Sequence, residues 1–257
     1  MPYSALNPRY TFGGFVVGDS NREAYTAAVG MASSQAVFQN LLYLCGGVGS
    51  GKTHLLHAIG NAVKPLRPRV LYCTSEQFTN AIIRAYRTDA VEQFEAGLVG
   101  IDVLLVDDVH FLAGKERTQQ VFLEMFERLS LLSRQVVVTS NCHPAELEGM
   151  DRKFVQWFER GTATRINAAD KALTVRILQR RAWDCGIELR DDVTSLLASG
   201  CGTARELGGA LNRLVAECSL MNAKPNLTTV RRFMKARRRR PISGKCCLHL
   251  GLADWHQ

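Results

Sequence analysis

The sequence has no long apolar run, and none of its apolar segments approaches the roughly 18 residues that a membrane-spanning helix needs. Its first residues, MPYSALNPRYTF, show no basic start followed by an apolar core, so we expect no secretory signal and a cytoplasmic location. The sequence also has no C-x-x-C pair, and six of its eight cysteines stand singly in apolar or helical stretches. We therefore expect reduced, buried thiols rather than disulfides or a metal cluster.

Most of the chain is nearly neutral. The 257 residues carry a net charge of +8, but residues 231–257 hold eight Lys and Arg and one acid, so seven of the eight net charges lie there. We expect 237–257, which includes RRRR and the Cys246–Cys247 pair, to be a disordered basic tail. Such a tail binds polyanions without sequence preference, so any specific function must reside in the nearly neutral body.

The body contains apolar runs of strand length, separated by helical patterns. They are LLYLC (41–45), RVLYCT (69–74), DVLLVD (102–107), QVVVTS (135–140) and TATRIN (162–167). Continuous apolar runs are typical of a parallel sheet that is covered on both faces. Thr74 and Gln77 form a capping box that predicts a helix after the second run, and the apolar spacing predicts an amphipathic helix over 115–133. The pattern predicts a three-layer α/β unit.

After about residue 168 the strands stop and helical patterns continue. Apolar residues at helical spacing predict helices around Leu178, Leu197 and Leu211, and a last helix from about 227 to 236. We therefore divide the chain into an αβα domain (1–167), a small helical domain (168–236) and the tail (237–257).

The stretch LCGGVGSGKTHLL contains Gly46-x-x-x-x-Gly51-Lys52-Thr53, a phosphate-binding loop between a predicted strand and a predicted helix. Its glycines allow backbone N–H groups to surround phosphates, Lys52 supplies a positive charge, and the Thr53 hydroxyl is a ligand for Mg²⁺. We expect the nucleotide to contact the following loop residues besides Lys52 and Thr53: Gly47, Val48, Gly49, Ser50, Gly51 and His54.

Two adjacent carboxylates, Asp107 and Asp108, end the third apolar run. A carboxylate at the end of a buried strand can hold Mg²⁺, and a second one beside it can polarise an attacking water. We assign the first role to Asp107 and the second to Asp108.

Four segments together resemble the ATPase domain of the DnaA family, the bacterial chromosomal replication initiators. They are LNPRYTFGGFVVGDSNREAY, GGVGSGKTHLLHAIGN, DVLLVDDVHFLAGKERTQ and ARELGGALNRL, which cover residues 6 to about 236 in order. The resemblance implies an AAA+ fold, in which a five-stranded parallel sheet lies between helices and carries a helical lid. It also implies ATP and Mg²⁺ as cofactors.

The resemblance further assigns roles to single residues. Val17 and Gly18 would lie against the adenine, Asn141 would be the family's sensor 1, and Arg205 would be sensor 2, which reaches the γ-phosphate. An inserted helical element within about 75–100 would help to line a channel for single-stranded DNA, with Ile83 and Arg117 at the matching positions. The alternatives are a core role for Ile83 and a solvated surface charge for Arg117.

Several positions depart from the family pattern. Trp157 and Gln156 stand where the family has the arginine finger and the serine before it, and an indole carries no charge to stabilise a neighbour's phosphate. Asn141 replaces the usual acid of the family, and Leu98 and Val99 replace a tyrosine and an arginine. We therefore expect ATP binding to persist and hydrolysis to be weak.

The helix-turn-helix signature of the family, which reads duplex DNA, is not found after residue 240, nor is the family's N-terminal interaction domain found. A truncated or frame-shifted reading frame near residue 237 is one hypothesis. Binding to origin duplex DNA should then be weak and sensitive to salt.

We favour an initiator core that binds ATP, forms homo-oligomers when ATP is bound, and assembles on single-stranded DNA. The family also implies the replicative helicase and acidic phospholipids as partners. The alternatives are a regulatory homologue comparable to Hda, which would need its own arginine finger, and a helicase loader.

Overall fold

The five predicted strands are all present in the computed structural model, which describes residues 5–33, 40–220 and 225–231. They are β1 (Leu41–Gly46), β2 (Val70–Thr74), β3 (Val103–Asp107), β4 (Gln135–Ser140) and β5 (Thr162–Ile166). Within the described ranges they form one sheet in the order β2-β3-β4-β1-β5, and every neighbouring pair is parallel. The prediction of a parallel sheet is confirmed.

The helices connect and cover these strands. They are α1 (Arg22–Ala32), α2 (Lys52–Val63), α3 (Ser75–Arg87), α4 (Val91–Val99), α5 (Glu116–Leu131), α6 (Arg152–Glu159), α7 (Lys171–Asp184), α8 (Asp191–Ser199) and α9 (Ala204–Leu220). The predicted capping box begins α3, because Thr74 accepts from the N–H of Gln77 and the Gln77 side chain accepts from the N–H of Thr74. The insertion predicted within 75–100 consists of α3 and α4.

Alternate residues of each strand point to opposite faces of the sheet, which gives the three layers. On one face, Leu42, Leu44 and Leu105 pack with buried residues of α1 and α2. On the other face, Tyr43 and Leu104 pack with residues of α3, α4, α5 and α6. Both faces are covered, as the continuous apolar strands predicted.

A separate apolar cluster holds together the helical lid, which we define as α7, α8 and α9. It includes Leu178, Leu197 and Leu211, the residues around which the three helices were predicted. Residues 227–231 are helical and contribute Val230 to the same cluster. The remainder of that predicted helix (232–236) and the predicted basic tail, including Cys246 and Cys247, lie outside the described residues.

Every helix in the described ranges is too short or too polar to span a lipid bilayer. Six cysteines lie in those ranges, and none of the six forms a disulfide with another described cysteine.

Candidate functional site

The predicted site residues meet at the edge of the sheet where its parallel strands end. The phosphate loop follows β1, Asp107 ends β3, and Asn141 directly follows β4. Because the strands are parallel, these carboxyl ends lie side by side, which is where open α/β sheets bind ligands. The topology therefore brings together residues that are up to about 95 positions apart in the sequence.

Two loop positions that follow β1 require glycine. Gly51 precedes α2 with a φ of 109°, and Gly49 has a φ of 76°, so both adopt backbone conformations that side chains disfavour. A Cβ atom at Gly49 would lie only 3.1 Å from the Cβ atoms of Thr203 and Arg205. The start of α9 therefore packs directly on the loop, and this contact places Arg205 beside the site.

Lys52 is a buried cation that has no carboxylate partner among the described residues. Its side chain is at the first position of α2, the residue is 7% exposed, and its Nζ donates to the carbonyl oxygens of Gly46 (2.7 Å) and Gly47 (3.1 Å). No ion pair of Lys52 occurs in the described part of the chain. Burial lowers the pKa of Lys52, and the charges of Asp108 and Asp107 partly oppose this shift. A bound anion would relieve the cost of burying this ammonium group.

Asp107 is buried and accepts three side-chain hydrogen bonds. The Thr53 hydroxyl donates to its Oδ2 at 2.8 Å, the Tyr72 hydroxyl donates to the same oxygen at 3.4 Å, and the Thr139 hydroxyl donates to Oδ1. The predicted magnesium ligands Thr53 and Asp107 are thus in direct contact. Their oxygens are hard donors of the kind that Mg²⁺ prefers.

Asp108 has an unusual backbone conformation, with φ 59° and ψ 50°. Its N–H donates to the Thr139 hydroxyl at 2.9 Å, and its carbonyl oxygen accepts from the Ser75 hydroxyl at 2.7 Å. Left-handed backbone at a residue other than glycine is costly and clusters at functional sites. Burial raises the pKa of Asp108, with a further contribution from Asp107.

Thr139 and His110 were not among the predicted site residues. Thr139 is 0% exposed, and its hydroxyl is hydrogen-bonded to the Asp107 carboxylate and to the Asp108 N–H. A polar residue near the end of the apolar run QVVVTS was the feature of the sequence that could have indicated this role. His110 lies two residues after Asp108, and burial lowers its pKa while Asp108 opposes the shift. Its Nδ1 is buried and has no hydrogen-bond partner among the described residues.

The segment predicted to contact adenine is folded around Asn21, another residue that was missed. The Gly18 N–H donates to Asn21 Oδ1 at 2.8 Å, and Asn21 Nδ2 donates to the Val16 carbonyl at 3.0 Å. A Cβ atom at Gly18 would lie 2.8 Å from Cδ2 of Leu173 in α7. Gly18 is therefore buried against α7 of the lid, and Val17 beside it is half-buried.

The other predicted site residues have different surroundings. Arg205 is exposed at the start of α9, Asn141 is exposed after β4, and Val48 is 64% exposed at the tip of the loop. The His54 ring stacks on Tyr10 with centroids 4.9 Å apart, and its Nε2 is 2.8 Å from the Thr11 carbonyl oxygen. This packing leaves the backbone of His54, rather than its ring, as the group that could contact a phosphate.

The predicted DNA-contact residues lie on the surface. Ile83 is 42% exposed on α3, and Arg117 is exposed in the first turn of α5. Both helices contact the 3-10 helix Val109–Leu112, which follows the two acids. The exposure of Ile83 argues against the alternative of a core residue.

Trp157, at the expected arginine-finger position, is a core residue. It is 7% exposed, and its indole stacks on Phe126 with ring centroids 4.4 Å apart and an interplanar angle of 15°. Gln156, the residue before it, is exposed.

Within the described ranges, no group of three or more His, Cys, Asp or Glu side chains could hold a metal ion.

A parallel sheet with a phosphate loop after β1, paired acids at the end of β3 and a helical lid over that edge defines a P-loop nucleotide-binding protein of the AAA+ class. The family model described as the bacterial DnaA ATPase domain matches residues 6–165, so the chain belongs to this family.

Individual relatives agree with this assignment. The chromosomal replication initiator protein DnaA of Geobacter metallireducens is 43% identical over 233 residues, which are 90% of this chain and 52% of the relative. The chain spans about half the length of the curated relatives it matches.

Two solved structures show the same fold. Domain III of the Thermotoga maritima initiation protein DnaA has a TM-score of 0.87 and 32% identity, and the match covers 91% of this chain and 98% of that domain. A replication initiator DnaA bound to AMPPCP and single-stranded DNA has a TM-score of 0.80 and 32% identity, and the match covers 92% and 72% of the two chains.

Proposed function

We propose that this chain is the ATP-binding core of a bacterial replication initiator, which binds ATP with Mg²⁺ and then assembles on single-stranded DNA. The observation that carries the proposal is Lys52, a buried ammonium group to which no described carboxylate is paired, next to the contact between Thr53 and Asp107. This arrangement is suited to a polyanion with a divalent cation. The similarity to a DnaA that is bound to the ATP analogue AMPPCP supports the choice of ATP.

Thr53 and Asp107 would hold Mg²⁺. Their oxygens are 2.8 Å apart, and Mg²⁺ sites commonly combine one or two protein oxygens with phosphates and waters. When bound, the ion would neutralise charge on the β and γ phosphates. Thr139 and Tyr72 would hold the Asp107 carboxylate in place through their hydroxyl groups.

The remaining site residues have roles in binding and hydrolysis. The backbone of 47–54 would surround the phosphates, and Val17 and Gly18 would contact the adenine. Asp108 would polarise the attacking water, while Asn141 and Arg205 would contact the terminal phosphate. Hydrolysis would be weak, because Trp157 offers no positive charge to a neighbouring subunit. ATP would therefore act chiefly as a switch for assembly.

The DNA contacts would come from Ile83 and Arg117, which are exposed on neighbouring elements. An exposed apolar side chain can pack against bases, and a guanidinium group can pair with phosphates. The similarity to a DnaA bound to single-stranded DNA supports this assignment.

This proposal retains the division into residues 1–167 and a lid at 168–236, and it places the protein in the cytoplasm. It includes ATP-dependent homo-oligomers; the replicative helicase and acidic phospholipids are further partners proposed from the family.

Sedimentation velocity with single-stranded DNA tests the proposal. We expect multimers on the strand with ATP and monomers with ADP. Ile83→Glu should retain ATP affinity and lose the multimers, whereas Leu66→Glu, which places the same charge at a leucine that is 76% exposed elsewhere, should behave like the parent protein. Identical sedimentation with ATP and ADP would contradict the proposal.

A further inference from the structure

A polar cleft, separate from the candidate nucleotide site, lies at the edge of the sheet opposite the phosphate loop. Its volume is about 360 Å³, and its lining includes Ser130, Arg134, Trp157, Arg160 and Thr162. The cleft is lined by the first residues of two strands, Thr162 of β5 and Leu41 of β1. The phosphate loop instead follows the last residue of β1. Six residues of strand separate the two edges by roughly 17 Å.

The cleft has a positive charge without a balancing acid in its wall. Arg134 and Arg160 both line it, and the lining includes no Asp or Glu. Asp102 lies behind Arg134 and accepts from Arg134 Nη1 at 2.9 Å, but it also pairs with Arg69 at 3.0 Å. One carboxylate is therefore shared by two guanidinium groups, and net positive charge remains at Arg134.

The two arginines retain donors that no described residue uses. The Arg134 side chain is 35% exposed, and no described residue other than Asp102 forms an ion pair with it. The Arg160 side chain is exposed and forms no ion pair in the described part of the chain. The exposed parts of the two guanidinium groups are therefore available to an anion in the cleft.

We infer that this cleft is an anion site for a small phosphate-bearing compound, separate from the nucleotide site. Guanidinium groups donate paired hydrogen bonds that match phosphate oxygens, and the hydroxyl groups of Ser130 and Thr162 add donors in the same cleft. The volume exceeds the space that one phosphate group fills, so pyrophosphate should bind more tightly than inorganic phosphate.

Trp157 provides a reporter for this site, because its indole forms part of the wall. The chain has three tryptophans, and Trp183→Phe with Trp255→Phe leaves Trp157 as the only one. We expect a saturable change in its fluorescence as pyrophosphate is added to the full chain. The midpoint should be the same with and without saturating ADP, because the cleft is at the opposite edge of the sheet from the loop.

Two variants and a control test the assignment to the arginines. Arg160→Ala should weaken pyrophosphate binding by about tenfold or more, since a hydrogen bond to a charged group is lost. Arg134→Lys keeps a cation beside Asp102 but removes the paired donors of the guanidinium group, and it should weaken binding to a similar degree. Arg176→Ala, at an exposed arginine of α7, should have no effect.

Three results would overturn the inference: no saturable signal at any pyrophosphate concentration, an unchanged midpoint in both cleft variants, or a midpoint that rises with ADP. The last result would assign the binding to the phosphate loop. Thermal unfolding of each variant without pyrophosphate distinguishes lost binding from lost folding.

Discussion

Replacing Thr139 with valine removes one hydroxyl group that holds both acids of the nucleotide site. This hydroxyl donates to the Asp107 carboxylate and accepts from the Asp108 N–H at 2.9 Å. Thr139 is 0% exposed, and valine has nearly the same shape, so the substitution leaves little cavity and mainly deletes two hydrogen bonds.

The cost follows from the two bonds. A hydrogen bond to a charged group contributes about 1.5–3 kcal/mol, and an unsatisfied N–H costs about 1 kcal/mol or more. We therefore expect Thr139→Val to lower the free energy of unfolding by about 3 kcal/mol. For a protein of this size, that corresponds to a melting temperature lower by roughly 6–12 °C.

Thr139→Ser is the matched control, because it keeps the hydroxyl and loses one methyl group, at a cost of about 1 kcal/mol. Differential scanning calorimetry without nucleotide would compare the two variants. Equal melting temperatures for the valine and serine variants would refute the reasoning. The valine variant should also hydrolyse ATP more slowly than the serine variant while binding ADP equally well, because Thr139 helps to hold the left-handed backbone of Asp108.

Two other substitutions test the buried side chains around the site. Trp157→Arg should lower the free energy of unfolding by about 3–5 kcal/mol in urea titrations, because it replaces a buried indole stacked on Phe126 by a charge. An unchanged urea midpoint would show that the side chain at position 157 can face a neighbouring subunit instead. Burial lowers the pKa of the His57 imidazole from its ordinary value of 6.5, so the folded state binds a proton at His57 less tightly than the unfolded state does. The stability that is present above pH 6.5 should therefore be lost as the pH falls below 6.5. His57→Asn removes the titrating group but keeps an acceptor for the Asn7 N–H. Between pH 7 and pH 5, it should reduce the slope of the unfolding free energy against pH by up to about 1.4 kcal/mol per pH unit. The same slope in the variant and the parent protein would contradict this expectation.

The phosphate loop and the paired acids of the candidate nucleotide site could be predicted from local patterns. The spacing of Gly46, Gly51 and Lys52 specifies a loop, and the apolar run before Asp107 specifies a strand, so both motifs are readable without tertiary contacts. Thr139 and Asn21 were missed because their contacts are made to other segments of the chain. A single polar residue in an apolar or helical stretch gives no sign of the partner that the fold supplies.

The role of Trp157 illustrates the same limit. Its position in the sequence predicts the loss of a charge from a subunit interface, but the fold shows an indole that packs on Phe126 within its own subunit. The arginines of the polar cleft also come from distant positions, since Arg134 precedes β4 and Arg160 precedes β5. Their common wall exists only because β1 lies between these two strands in the sheet.

The sequence by itself determined the parallel αβα architecture, the phosphate loop, the paired acids and the small helical domain, because periodicity and motif spacing are local properties of the chain. The tertiary structure alone decided which hydroxyl groups hold the acids, how the lid packs on Gly49 and Gly18, and which side chains are left without partners. These features depend on strand order and on close packing between segments far apart in sequence, and neither is encoded in any one segment.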